Sequence, residues 1–124
     1  IQAEMQEDFG CRWVDRLNLP QLTALLEFAP LLISNNTGPV HIAAAVGTPV
    51  VDLYALTNPQ HTPWGVPNRA LFHDVPCRIC YKSICPEGHH HCLRLVTPES
   101  VVAAAIDLLG ETQSANSVFT VAIL

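Results

Sequence analysis

The stretch from Pro20 to Tyr54 alternates between two hydrophobic periods with almost no chain left over for connections, and this limits the fold more than any other feature. Pro20 to Ala29 places Leu22, Leu25, Leu26 and Ala29 on one face of a helix, and proline is tolerated in a first helical turn. Pro30 ends that helix. Leu31-Leu32-Ile33-Ser34 is a brief apolar run of the kind that suits a strand covered on both faces. After a polar turn, Pro39 to Val46 reads as an Ala-rich helix closed by Gly47, and Thr48 to Tyr54 as a second buried strand. Helix, strand, helix and strand joined by short links predict an α/β fold with a parallel sheet and crossover helices.

That topology locates a site before any motif is consulted. Open parallel sheets bind ligands in the crevice beyond the carboxyl ends of their strands, and the loop from Ser34 to Gly38 lies at such an end. There, Asn36-Thr37-Gly38-Pro39-Val40-His41 turns from strand into helix. The unpaired N–H groups and partial positive charge of a helix start favour a phosphate, Gly38 permits close backbone approach, and the Thr37 hydroxyl can donate to a phosphate oxygen. The competing reading has Asn36 or Thr37 merely capping the helix and Gly38 merely making the turn. His41 likewise has two readings. It is either a packed histidine donating to backbone or a neutral hydrogen-bond donor to a phosphate or sugar.

Further along, Pro59, Pro63, Gly65 and Pro67 make residues 55–69 a loop, and Ala70 to His73 reads as a short third strand. Thr97-Pro98 opens a capped helix whose apolar stripe is Val101, Val102, Ala105, Ile106, Leu108 and Leu109. His61, Trp64 and Arg69 lie in the loop facing the same strand ends, as solvated loop residues or as contacts to a ligand. A hydrophobic fraction of 49 % against 14 % charged residues supplies one core and argues against disorder. The net charge of −5 argues against nucleic acid as a partner, because phosphate neutralisation needs clustered Lys and Arg. Arg69, Arg78, Lys82 and Arg94 do fall in one third of the chain, so a local basic patch stays open. No apolar run reaches the ~18 residues of a membrane span, and the acidic start lacks a signal-peptide layout, which makes the cytoplasm the default compartment. The opening IQAEMQEDFGCRWV begins at Ile1 without a helix cap or a turn and reads as the continuation of something longer.

The segment LLISNNTGPVHIAAAVGTPVVDLYALTNP closely resembles glycosyltransferase family 9, the heptosyltransferase-like enzymes, whose pattern runs strand, Asp-Thr/Ser-Gly-Pro, His, Ala-Ala, Gly-Thr-Pro, strand, and an aromatic-Gly-Pro-Thr turn. The similarity extends from about Leu17 to Leu109. It implies a Rossmann-like portion of the C-terminal, donor-binding lobe of a GT-B glycosyltransferase, with residues 1–16 a remnant of a truncated lobe and 110–124 a tail. It also implies an ADP-heptose donor and transfer, with inversion, to the lipopolysaccharide core. Such an acceptor would bring the protein to the periphery of the inner membrane. Thr37, Gly38 and Pro39 match the diphosphate-binding turn, His41 the histidine beside it, and Leu17 a position near the nucleobase. Asn36 stands where the family commonly has a sugar-contacting Asp, and Tyr54-Ala55-Leu56-Thr57 retains the Thr57 of its turn but neither the Gly nor the Pro. The acceptor lobe and its general base are expected outside this chain, so the chain alone is expected not to catalyse transfer.

Cys77-x2-Cys80-x4-Cys85-x6-Cys92 leaves three readings open: reduced structural thiols, two disulfides, or a tetrahedral zinc site with His89, His90 and His91 as spare ligands. The zinc reading supports an alternative in which the chain is a small zinc-stabilised interaction domain and the Thr37-Gly38 turn is only a helix start. Cys11, apart from this cluster, reads as a small core residue.

Overall fold

The computed structural model describes residues 16–112 and 121–123. Cys11 and all but the last residue of the 1–16 segment lie outside the described residues, as do 113–120 of the tail.

Helix α1, Leu19–Phe28, starts at Asn18, whose side chain accepts from the Gln21 backbone N–H while the Gln21 side chain accepts from the Asn18 N–H, each at 3.0 Å. This reciprocal capping box satisfies two of the donors that a helix start orphans. Strand β1, Leu31–Asn35, leads into α2, Gly38–Val46, which ends on Gly47 in a left-handed conformation at φ 87°. Glycine takes that conformation without a Cβ clash, so the turn from α2 into β2, Val50–Leu53, can be short. A 3-10 turn at Pro59–His61 precedes β3, Asn68–Leu71, and the short helix α3, His91–Arg94, precedes α4, Pro98–Thr112. Strand β4, Val121–Ile123, completes a four-stranded sheet of order β3-β2-β1-β4 in which every neighbouring pair is parallel.

The predicted α/β class is therefore the observed one, with three differences of detail. The third strand starts two residues earlier than Ala70, because its ladder begins where β2 begins, pairing Val50 with Asn68 and Val51 with Arg69. Polar residues are tolerated there because β3 is an edge strand among the described residues: the Arg69 guanidinium reaches out to Asp107 and Glu111 on α4. Helix α4 keeps the predicted Thr97 cap, which accepts from the Ser100 N–H at 3.2 Å, but runs through Gly110 to Thr112. The tail also contributes β4 beside β1.

Successive residues of a buried strand point to opposite faces, and two cores follow from that alternation. Leu32 and Val50 pack with Leu26, Val40 and Ala43 under α1 and α2. Leu31 and Val51 pack with Ala105 and Leu108 of α4. Each fully buried leucine contributes roughly 1.5–3 kcal/mol relative to exposure. The buried Thr48 hydroxyl donates to the Leu26 carbonyl at 2.6 Å, fixing the end of α1 beside the start of β2. The start of α1 is thereby directed toward the carboxyl ends of the strands. At that end the α1/α2 face changes character. Ser34 and Asp52, register partners on β1 and β2, follow Leu32 and Val50 as buried polar residues, and Asn36 lies one step further out.

Candidate functional site

The buried polar residues Ser34 and Asp52 open onto the turn that joins β1 to α2. Thr37 occupies the cap position of α2 in an extended conformation, yet it makes no side-chain cap hydrogen bond, and its hydroxyl donates backward to the Asn35 carbonyl at 3.3 Å. The capping reading of Asn36 and Thr37 is thus not what the structure shows: one side chain is drawn to the preceding strand end and the other is turned inward. The helix start is left unsatisfied. The Val40 N–H reaches the Thr37 carbonyl at 3.1 Å and Pro39 has no N–H, while the Thr37 and Gly38 amides have no protein acceptor among the described residues.

Gly38 is exposed, its φ is not positive, and a Cβ built there would meet nothing within 4 Å. The fold itself does not need glycine at this position. The open space over its backbone is what a docked group could use. His41, on the same side of α2 one turn along, is exposed and has no hydrogen-bond partner among the described residues, so the packed-histidine reading fails.

Asn36 is half-buried and its amide nitrogen makes two hydrogen bonds, to Asp52 Oδ2 at 3.1 Å and to the His61 carbonyl at 2.7 Å. Asp52 is fully buried, its Oδ1 has no partner, and burial pushes its carboxyl pKa up from 3.8 to about 7. Sequence reasoning missed both Asp52 and the role of His61. The signal for Asp52 was present, since a carboxyl in a strand covered on both faces is rare unless it is partnered.

The remaining candidates divide. The Thr57 hydroxyl bonds with the Tyr54 hydroxyl at 3.1 Å, and that hydroxyl donates to the Asn58 carbonyl and accepts the Asn58 N–H. Thr57 thus braces its own loop, in which Leu56 takes a left-handed φ of 51°. Leu17 is half-buried just ahead of α1, at the end directed toward the strand carboxyl termini. Trp64 is 92 % exposed. Arg69 faces α4, away from the turn, which corrects its placement as a loop residue at the strand ends. A shallow hollow lined by Pro30, Gly47, Pro49 and Pro67 lies at the opposite, amino ends of the strands.

Cys77, Cys80, Cys85 and Cys92 are free thiols, each half-buried, so no disulfide joins them. Among the described residues no three His, Cys, Asp or Glu side chains stand together as a metal-holding group. The thiols make local contacts instead. Cys77 Sγ lies 3.9 Å from His89 Nε2, and backbone N–H groups, that of His90 foremost, lower the Cys85 pKa. Burial raises that of Cys92.

A parallel sheet covered by helices on both faces, with an open helix start and a polar layer at its carboxyl end, defines a Rossmann-like α/β domain. The profile of "Glycosyltransferase family 9 (heptosyltransferase)" matches residues 2–91, and the chain belongs to that family. It is 32 % identical over 97 residues to Lipooligosaccharide heptosyltransferase 2 of Campylobacter jejuni, covering 77 % of this chain and 30 % of that protein. Over a shorter stretch of 47 residues it is 51 % identical to Lipopolysaccharide core heptosyltransferase OpsX of Haemophilus influenzae, covering 38 % of this chain and 14 % of that one. The crystal structure of a family 9 glycosyl transferase from Veillonella parvula superposes with a TM-score of 0.63 at 31 % identity, covering 77 % of this chain and 28 % of the other. The chain thus spans about 30 % of the length of the Campylobacter enzyme it matches. No helix among the described residues is long and apolar enough to cross a membrane.

Proposed function

We propose that this chain is the donor-binding portion of a glycosyltransferase that moves a heptose from an ADP-sugar to a lipopolysaccharide core acceptor. The observation that carries the reading is the open start of α2. Two amides with no acceptor among the described residues stand at the positive end of a helix, beyond the carboxyl end of β1, where a Cβ built on Gly38 would meet nothing within 4 Å. A diphosphate suits that place. Thr37, Gly38 and Pro39 would hold it, His41 would donate to a phosphate or to the sugar, and Asn36 would meet the sugar. Thr57 would act through its loop, and Leu17 would lie toward the base.

Transfer itself needs a base to take the acceptor hydroxyl proton and a cleft to position the acceptor. By resemblance, both belong to the N-terminal lobe of the whole enzyme, which would meet its lipid-linked acceptor at the inner membrane. Membership in a glycosyltransferase family supports this assignment over a zinc-stabilised interaction domain.

Gly38→Ala provides the test. Calorimetry should find ADP-heptose bound at least tenfold more weakly by the variant, a loss of about 1.4 kcal/mol. Its stability should stay within about 1 kcal/mol of the native chain, because alanine is the better helix former. Unchanged affinity would show that nothing docks on this backbone.

A further inference from the structure

Asn36 is an amide in a neighbourhood of acceptors. Its nitrogen carries two protons, and both are taken, one by Asp52 Oδ2 and one by the His61 carbonyl. An asparagine side chain has two donors and one acceptor oxygen, so committing both donors inward fixes which end faces out. We infer that Asp52 and the His61 carbonyl are positioning groups that orient Asn36 so that its Oδ1, a neutral acceptor, meets a hydroxyl of the donor sugar. This inference rests on the donor-binding reading above, in which Asn36 meets the sugar, and adds the residues that set its orientation.

Three features support it. First, the orientation does not depend on the ionisation of Asp52: a proton on the unpartnered Oδ1 leaves Oδ2 an acceptor, and a carboxylate is an acceptor on both oxygens. Second, an aspartate at position 36 would set oxygen against Oδ2 and against the His61 carbonyl, at separations where only an N–H is favourable. The amide is what this neighbourhood requires, which gives the departure from the family pattern at Asn36 a physical basis. Third, a neutral acceptor beside two phosphates avoids the repulsion a carboxylate would meet there, while still accepting from a sugar hydroxyl. The His61 contact also ties the 3-10 turn of the β2–β3 loop to the binding turn, so the loop and the sugar-facing group are held together.

Two substitutions separate the acceptor role of Asp52 from its charge. Asp52→Leu removes the acceptor at similar size, whereas Asp52→Asn removes the charge and keeps an oxygen for Asn36. In the free protein, NMR should find the Asn36 side-chain amide protons slow to exchange in the native chain and in Asp52→Asn, and fast in Asp52→Leu. With ADP-heptose as probe, Asp52→Leu should bind about tenfold more weakly and Asp52→Asn within twofold of the native chain, while ADP, lacking the sugar, should bind all three alike. Fast exchange of the Asn36 amide in the native chain overturns the orientation. Equal losses for ADP and ADP-heptose overturn the assignment to the sugar. A native chain that binds neither ligand overturns the donor reading and the sugar assignment with it, and the exchange measurement then still decides whether Asp52 orients Asn36.

Discussion

The stability of the native chain is expected to fall between the ordinary carboxyl value of 3.8 and about pH 7, and replacing Asp52 by asparagine is expected to abolish that fall. The carboxyl is raised by burial, so the folded chain holds its proton over a range in which the unfolded chain has released it. Below 3.8 both states are protonated and nothing is lost; between the two values the unfolded state binds fewer protons, and stability falls as pH rises; above about 7 the loss is complete. A carboxyl pKa raised from 3.8 to about 7 corresponds to about 4 kcal/mol, with relaxation of the surroundings reducing the observable part to about 2–4 kcal/mol. No charged partner among the described residues softens it. Asn36 and Ser34 face it from β1, Arg69 is engaged with α4, the His61 ring lies by the Asn58 amide, and His41 is exposed on α2. Urea unfolding from pH 4 to 8 checks this: the difference between native and variant chains should grow toward pH 8, and parallel curves would contradict it.

Leu32→Ala should be strongly destabilising, costing about 2–5 kcal/mol. Leu32 is fully buried on a strand with neighbours on both sides, in one core cluster with Leu26, Val40, Ala43 and Val50. The cavity would open directly beneath α2, so the start of that helix should loosen with it. Phe28→Ala, at a side chain 86 % exposed, is the control and should stay within about 0.5 kcal/mol. Similar losses for both variants would mean that the core is not where the structure puts it.

The alternation from Pro20 to Tyr54 was legible because each signal there is local. Proline and glycine mark boundaries, and Leu31 to Ile33 is an apolar run that suits a covered sheet. The turn at Thr37-Gly38 was legible as a position, since strand ends and helix starts follow from element order. Its state was not, because whether Thr37 caps α2 depends on where the Asn35 carbonyl and the Asn36 amide point. Strand β3 was shifted because Asn68 and Arg69 look like loop residues until β2 pairs with them and Asp107 and Glu111, far along the chain, are brought beside Arg69. Strand β4 has only three residues and exists through pairing with β1. Asp52 was hidden inside an apolar run, although its charge was the clue. The cysteine spacing, conversely, suggested more than the structure assembles, because Cys77 and Cys85 find nearby partners in a histidine and in backbone amides.

The central claim, that the open start of α2 holds a donor diphosphate, is tested most directly by following backbone amides of the 124-residue chain by NMR during titration with ADP-heptose. The amides of Thr37 and Gly38 should shift saturably, with Val40 and His41 following, while Gly47 at the far end of the same helix stays in place. No shift at Thr37 and Gly38 with millimolar ligand, which leaves room only for binding weaker than about 4 kcal/mol, would contradict the claim, as would shifts centred on residues 77–92.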